Sequence, residues 1–282
     1  MIVLVTGAKG QLGQAIQSIS DKYPAIDFVF CSSSDLDISN KQNCQEIFSK
    51  FKPDFCINAA AYTAVDKAQS EPEKAHLINV IGAKNLAAVC KEFSTILLHV
   101  STDFVFDGNK TTPYTEEDVP NPTGVYGQTK LDGEKAIQET FDNYFIIRTS
   151  WVYSRFGNNF MKTMLRLASE RDSLSVVSDQ IGTPTNAVDL AKVCIKIITF
   201  CQTEPVEVFG IYNFSNEGQC SWYDFAKEIF EINNININLQ AISTSSYLTP
   251  AERPKYSVLD KSKIIETFGV EVRDWEESLK KV

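Results

Sequence analysis

At its start the chain runs from an apolar stretch, Ile2-Val3-Leu4-Val5-Thr6, through Gly7, Gly10 and Gly13, with amphipathic sequence opening at Gln11. A short run rich in β-branched residues reads as a strand, and the apolar spacing after Gln11 reads as a helix. The glycines between them have separate jobs. Gly7 suits the tight turn, Gly10 lets another group approach the backbone, and Gly13 lets the helix press against the strand. A strand that turns straight into a helix has to be continued by a parallel neighbour, because parallel strands are joined by crossovers. The same turn leaves free N–H groups and the positive end of a helix dipole at the helix start. That is where a pyrophosphate binds, so the loop predicts a dinucleotide site.

The first half of the chain repeats this alternation. Ile2–Thr6, Asp27–Cys31, Asp54–Ala59, Thr95–Val100 and Tyr144–Thr149 read as strands. Gln11–Lys22, Lys41–Phe51, Glu73–Lys91 and Gly127–Phe141 between them carry helical patterning. Strand and helix in alternation predict an α/β fold, a doubly wound parallel (Rossmann) sheet with right-handed crossovers. After Trp151 the pattern changes. Asn159–Arg171 and Asn186–Phe200 read as helices, Leu174–Ser178 and Ile211–Phe214 as strands, and a last helix begins at Asp274. We expect residues 1–150 to form the dinucleotide-binding domain. Residues 151–282 are expected to form mainly a smaller substrate-binding α/β lobe, with some segments returning to the sheet.

Composition narrows the function by exclusion. The formal net charge of −9 argues against a nonspecific nucleic-acid binder. Seven cysteines without a CxxC pair read as reduced, buried thiols, and two histidines, His76 and His99, make a His/Cys metal site improbable. The sequence shows neither a signal peptide nor an apolar run long enough to span a membrane. The expectation is a cytoplasmic protein with no metal, no nucleic-acid partner and no membrane partner.

Tyr126 and Lys130 stand at i and i+4, on one helical face. A phenol titrating near 10 is a poor donor to an alkoxide, and a neighbouring ammonium is expected to lower its pKa toward working pH. Tyr223 and Lys227 share this spacing, but they lie beyond the nucleotide-binding sheet and read as a surface helix. Ser101-Thr102-Asp103 falls at the C-terminal end of the fourth strand, the edge where open α/β sheets bind ligands. A hydroxyl there can hydrogen-bond a substrate carbonyl beside Tyr126. Asn58-Ala59-Ala60-Ala61-Tyr62-Thr63 ends the preceding strand with small side chains that admit a cofactor close to the backbone.

These motifs recur with Arg148-Thr149-Ser150-Trp151-Val152-Tyr153, Gly157-Asn158-Asn159-Phe160, Asp179-Gln180-Ile181-Gly182-Thr183-Pro184-Thr185 and Pro250-Ala251-Glu252-Arg253-Pro254. Together and in this order they cover nearly the whole chain. With them the sequence resembles the extended short-chain dehydrogenases/reductases, and among those the enzymes acting on dTDP-linked 4-keto-6-deoxysugars. The resemblance implies reduction of dTDP-4-dehydro-β-L-rhamnose to dTDP-L-rhamnose with NADPH, NADH also being accepted. It implies Thr102, Tyr126 and Lys130 as the catalytic trio. Gln11, Leu12, Asp37, Ile38, Ala61, Tyr62 and Thr63 would line the cofactor, which Tyr126 and Lys130 also touch. Thr102, Asp103 and Trp151 would contact the nucleotide-sugar, although Trp151 read alone is more readily a core aromatic.

Two positions depart from the pattern of relatives. Phe104 replaces a tyrosine found in many, and Ala15 replaces a carboxylate that in some helps bind a metal at a dimer contact. The chain is therefore expected as a monomer or homodimer without a metal bridge. The second strand ends in Cys31-Ser32-Ser33-Ser34, with no carboxylate before Asp35 to repel a 2′-phosphate, and Lys9 stands nearby in the glycine loop. This favours NADPH at least as much as NADH. Two alternatives stay open at this point: an epimerase or dehydratase of nucleotide-sugars, or a noncatalytic NADP-binding regulatory subunit of the same fold.

Overall fold

A computed structural model describes residues 1–203 and 208–282 of the chain. Five strands follow in order: β1 (Ile2–Thr6), β2 (Asp27–Cys31), β3 (Phe55–Asn58), β4 (Ile96–Thr102) and β5 (Tyr144–Thr149). With Gly210–Asn213 from the second half they form a six-stranded sheet, ordered β2, β1, β3, β4, β5, Gly210–Asn213. Every pairing in it is parallel. The order reverses between β1 and β3, so the two strands' C-terminal ends open a crevice, the position where such sheets bind ligands.

The strands are largely apolar because both faces of the sheet are covered. In β1, Val3 and Val5 point into one core and Leu4 into the other. The first core is completed by helix α1 (Gln11–Ile19) and by Ala187–Thr203. The second is completed by helix α2 (Lys41–Phe51), Gly82–Phe93 and Val125–Thr140. Ala15 is fully buried in the first core.

The second half of the chain both adds to the sheet and leaves it. Gly210–Asn213 extends the sheet, and Ile264 and Phe268 of the helix Ser262–Phe268 enter the first core. A separate apolar cluster joins Tyr153, Met161, Met164, Leu174, Val176, Phe225, Ile229 and Trp275. It is built from the helices Phe160–Glu170, Trp222–Ile232 and Trp275–Leu279, and from Ser173–Val177 paired in parallel with Asn238–Ile242. The sequence reading left out Asn238–Ile242 and Ser262–Phe268. Asn238–Ile242 is half-exposed along its length, and Ser262–Phe268 is too short to set up a clear helical period.

No helix among the described residues is long and apolar enough to cross a membrane. All seven cysteines are free, and all but Cys201 are buried.

Candidate active site

The glycine loop sits in the β1/β3 crevice. Gly7 has φ +64°, and a Cβ there would lie 2.7 Å from the backbone of Ala59 and Ala60 at the end of β3. A Cβ at Gly13 would lie 2.5 Å from the Gly7 carbonyl oxygen, so the helix can press against the loop only without a side chain. Gly10 is the N-cap of α1, and no side chain caps it. The first N–H groups of the helix therefore remain available to an anion. Bare helix donors, a wall of small residues at Ala59 and Ala61, and close backbone approach all fit a dinucleotide pyrophosphate.

From the loop a cleft of about 700 Å³ runs along the C-terminal edge of the sheet. It is lined by Gly10, Gln11, Leu12, Ala61 and Thr63 at one end and by Thr102, Asp103, Tyr126, Lys130 and Trp151 further along. Most of the sequence-predicted residues thus converge on one space, within the usual size range of small-molecule sites. A second cleft of about 710 Å³, lined by Lys110, Ile181, Gln219 and Tyr256, contains none of them. The chemistry assigns the site to the first.

Some predicted cofactor residues face elsewhere. Ile38 is buried against Gly82, and the Asp37 carboxylate accepts from the Ser39 N–H and hydroxyl at 3.0 and 2.7 Å. Tyr62 donates from its hydroxyl to Glu71 at 2.8 Å. Gln11 uses its side chain on the second half of the chain, donating to the Val152 carbonyl and accepting from Ser154 and Asn159. Only the Gln11 backbone is left for a phosphate.

β4 runs two residues further than its apolar pattern suggested, through Thr102, because Ser101 and Thr102 still pair with Arg148 and Thr149. Thr102 Oγ1 donates to Asp103 Oδ1 at 3.0 Å and accepts from the Phe104 N–H at 3.2 Å. Asp103 is 2% exposed, its Oδ2 has no hydrogen-bond partner, and burial pushes its carboxyl up to about 6. Tyr126 lies in the first turn of the helix Val125–Thr140, with the Phe104 ring packed edge-on at 5.5 Å. Gly127 allows that approach, since a Cβ there would lie 2.1 Å from the Phe104 carbonyl oxygen.

The electrostatics differ from the expectation at one point. Burial pushes the Tyr126 phenol up to about 12, against the opposing influence of Thr102, and the Asp103 carboxyl adds to the rise. Lys130 is expected to lower it, but although it lines the same cleft its amine is engaged by other groups. Its Nζ lies 2.6 Å from the Val100 carbonyl oxygen and 3.1 Å from His99 Nε2. Burial brings the Lys130 amine down to about 8.

Trp151 follows β5 with φ +45°, a strained backbone for a bulky residue. Trp222 stacks on its ring at 3.5 Å between centroids and 10° between planes. Gly182 covers it too, since a Cβ there would lie 2.6 Å from Trp151 Cε2. A stack that close cannot also hold a glycine backbone, so Gly182 and Trp222 cover opposite faces.

Sequence reading did not single out Trp222, Asn79, Glu134 or the Arg253–Asp66 pair, and gave His99 no role. Asn79, in a π-helical turn over Leu77–Ile81, accepts from the Tyr62 N–H at 2.9 Å and donates to Thr129 at 3.1 Å. Glu134 is buried, pairs with Arg148 at 2.7 Å and accepts from Ser101. Arg253, which lines the cleft, pairs with Asp66 at 2.8 Å. The i, i+4 step from Lys130 to Glu134 was the only readable signal among these. By contrast Tyr223, of the competing motif, lies in the second half's cluster, and Lys227 is exposed beside Glu231.

Comparison with known proteins agrees with this geometry. The family model for the RmlD substrate binding domain matches residues 1–282. A dTDP-4-dehydrorhamnose reductase of Aggregatibacter actinomycetemcomitans is 42% identical, over 99% of this chain and 97% of that protein. Among solved structures, a dTDP-4-dehydrorhamnose reductase from Clostridium acetobutylicum superimposes with a TM-score of 0.94 at 43% identity, covering 100% of this chain and 98% of that one. One from Bacillus anthracis, in complex with NADP, gives 0.93 at 39% identity, covering 99% and 97%. With the family model matched over the chain's full length and a relative 42% identical over 99% of it, the protein belongs to the RmlD substrate-binding-domain family.

Proposed function

We propose that the chain reduces the 4-keto group of dTDP-4-dehydro-β-L-rhamnose to the alcohol of dTDP-L-rhamnose, using NADPH. The observation that carries this reading is the single cleft joining the glycine loop to Thr102, Tyr126 and Lys130. When bound, the dihydronicotinamide supplies the hydride. The free N–H groups after Gly10 hold the pyrophosphate, with Gly7 and Gly13 keeping loop and helix close. Leu12, Ala61 and Thr63 border the cofactor, whereas Asp37, Ile38 and Tyr62, whose side chains are engaged elsewhere, reach it only through backbone atoms. Lys130 binds the nicotinamide ribose.

Tyr126 gives its proton to the oxygen of the forming alkoxide, and Thr102, turning its one hydroxyl proton away from Asp103, donates a hydrogen bond to the same oxygen. A phenol raised by burial holds its proton until that oxygen develops charge, and the Lys130 ammonium then stabilises the phenolate left behind. Asp103 and the Trp151 edge border the sugar. Residues 1–150 serve the dinucleotide and residues 151–282 mainly the nucleotide-sugar. The protein acts in the cytoplasm as a monomer or homodimer, and Ala15 offers no carboxylate for a metal bridge.

The test is cofactor oxidation with dTDP-, UDP- and GDP-linked 4-keto-6-deoxysugars. Fastest turnover of the dTDP sugar is expected. Equal rates with all three overturn the substrate assignment, and tightly bound NAD⁺ in the purified protein points to an epimerase or dehydratase instead.

A further inference from the structure

Strand register puts buried polar side chains in a row beneath the site. Thr6 of β1 pairs with Asn58 of β3, and Asn58 pairs with His99 of β4. Thr6 Oγ1 donates to Asn58 Oδ1 at 2.7 Å, and the Asn58 carboxamide lies 2.9 Å from His99 Nδ1. Across the ring, His99 Nε2 meets Lys130 Nζ at 3.1 Å. All four residues are buried. The row connects the strand that feeds the glycine loop with the lysine of the site.

Counting protons limits how this row can be wired. An ammonium only donates, a carboxamide NH₂ only donates, and a neutral imidazole accepts at one nitrogen. Burial, with the Lys130 charge adding to it, keeps His99 neutral, well below the usual histidine range. Asn58 Nδ2 and a Lys130 ammonium therefore cannot both donate to the ring. One solution is a neutral Lys130 amine accepting from Nε2–H. The other keeps the ammonium and turns the Asn58 carboxamide by half a rotation, so that its oxygen accepts from Nδ1–H. Such balances are what distinguish amide oxygen from nitrogen. The turned amide reverses the Thr6 bond, with Asn58 Nδ2 donating to Thr6 Oγ1; the Ala60 N–H keeps that oxygen as its acceptor at 3.2 Å, and the Thr6 hydroxyl proton has to leave Asn58. The titratable groups around Lys130 are His99 from β4 and, on its own helix, Tyr126 one turn before and Glu134 one turn after, and Glu134 is already paired with Arg148.

We propose that His99 is a positioning residue: as the Nδ1–H tautomer anchored on Asn58, it accepts from the Lys130 ammonium and fixes that cation in the site. The proposal rests on the reading of Lys130 given above.

The first test is ¹⁵N NMR of the histidine rings in the unmodified chain, where the only other histidine is the exposed His76. His99 is expected neutral near pH 7 with its proton on Nδ1, and an Nε2–H tautomer overturns the proposal. This reading needs no variant to fold and no bound cofactor. The second test compares His99→Leu, His99→Gln and Lys130→Met by steady-state kinetics. His99→Leu is expected to lower kcat on the order of tenfold and move the alkaline limb of its pH profile down by about one unit, the equivalent of one hydrogen bond to a charged group. His99→Gln, which keeps an acceptor, restores most of both. An unmoved limb in His99→Leu, with Lys130→Met inactive, overturns the proposal. A fully active Lys130→Met instead overturns the reading of Lys130 on which it rests.

Discussion

Trp222 lies flat on Trp151, ring centroids 3.5 Å apart, while Gly182 closes the opposite face of the same indole. Trp151 therefore offers the cleft its edge, and Trp222 sets the angle of that edge. Trp151→Ala and Trp222→Ala are each expected to raise KM for the nucleotide-sugar. A double-mutant cycle on stability should show coupling of about 1 kcal/mol, typical of an aromatic pair. Additive losses in the cycle count against the stack.

Tyr126→Phe should lower kcat by on the order of 100-fold, the usual worth of general acid catalysis, with little change in melting temperature. Tyr223→Phe should leave turnover near normal, since that phenol belongs to the second half's apolar cluster. Steady-state kinetics beside thermal melts distinguish the two motifs, and the reverse pattern assigns the chemistry to the wrong tyrosine.

Asp103 links the site to stability. Its carboxyl rises from 3.8 to about 6 through burial. Between those values the folded chain holds a proton that the unfolded chain has released, so its contribution to stability falls as pH rises through the window. Asp103→Asn removes the cost of the buried charge. It should gain about 2–3 kcal/mol over the parent above pH 6 and little near pH 4, while losing activity. Urea unfolding at the two pH values measures this, and an equal gain at both assigns the effect to something other than the charge.

Asp35 follows the end of β2, the edge where such sheets meet the adenosine ribose of a dinucleotide. Its carboxylate accepts from the Ser32 N–H at 2.9 Å and the Ser32 hydroxyl at 2.6 Å. Those bonds, with Lys9 nearby, hold it below the usual carboxylate range, so it is ionised at neutral pH. NADPH should still be used at least as well as NADH. Asp35→Asn should raise the NADPH/NADH ratio of kcat/KM by about fivefold, the effect of removing one screened like charge. An unchanged ratio places Asp35 away from the ribose.

Much of the fold was legible because local rules and tertiary structure agree. The five strands of the first half lie within two residues of their apolar runs, Gly7 makes the expected turn with φ +64°, and Gly13 makes the expected close helix contact. Agreement weakens where a side chain's partner is distant in sequence. Gln11 bonds to Ser154 and Asn159, more than 140 residues on, and no spacing rule encodes that choice. Asp37 turns instead onto Ser39 two residues along, a local Asx turn that competes with a role in the cleft.

The sequence by itself determined a doubly wound sheet, a glycine loop built for a pyrophosphate, and a tyrosine–lysine pair on one helical face. These depend on backbone sterics, periodicity and charge counts, all written in neighbouring residues. Only the tertiary structure decided what surrounds them. It set Lys130 against His99 and not against Tyr126, buried Asp103 with an unpaired oxygen, and closed Trp151 between Gly182 and Trp222. The physical reason is that desolvation and stacking depend on which distant segments fill the remaining space, and packing settles that only when the whole chain has folded.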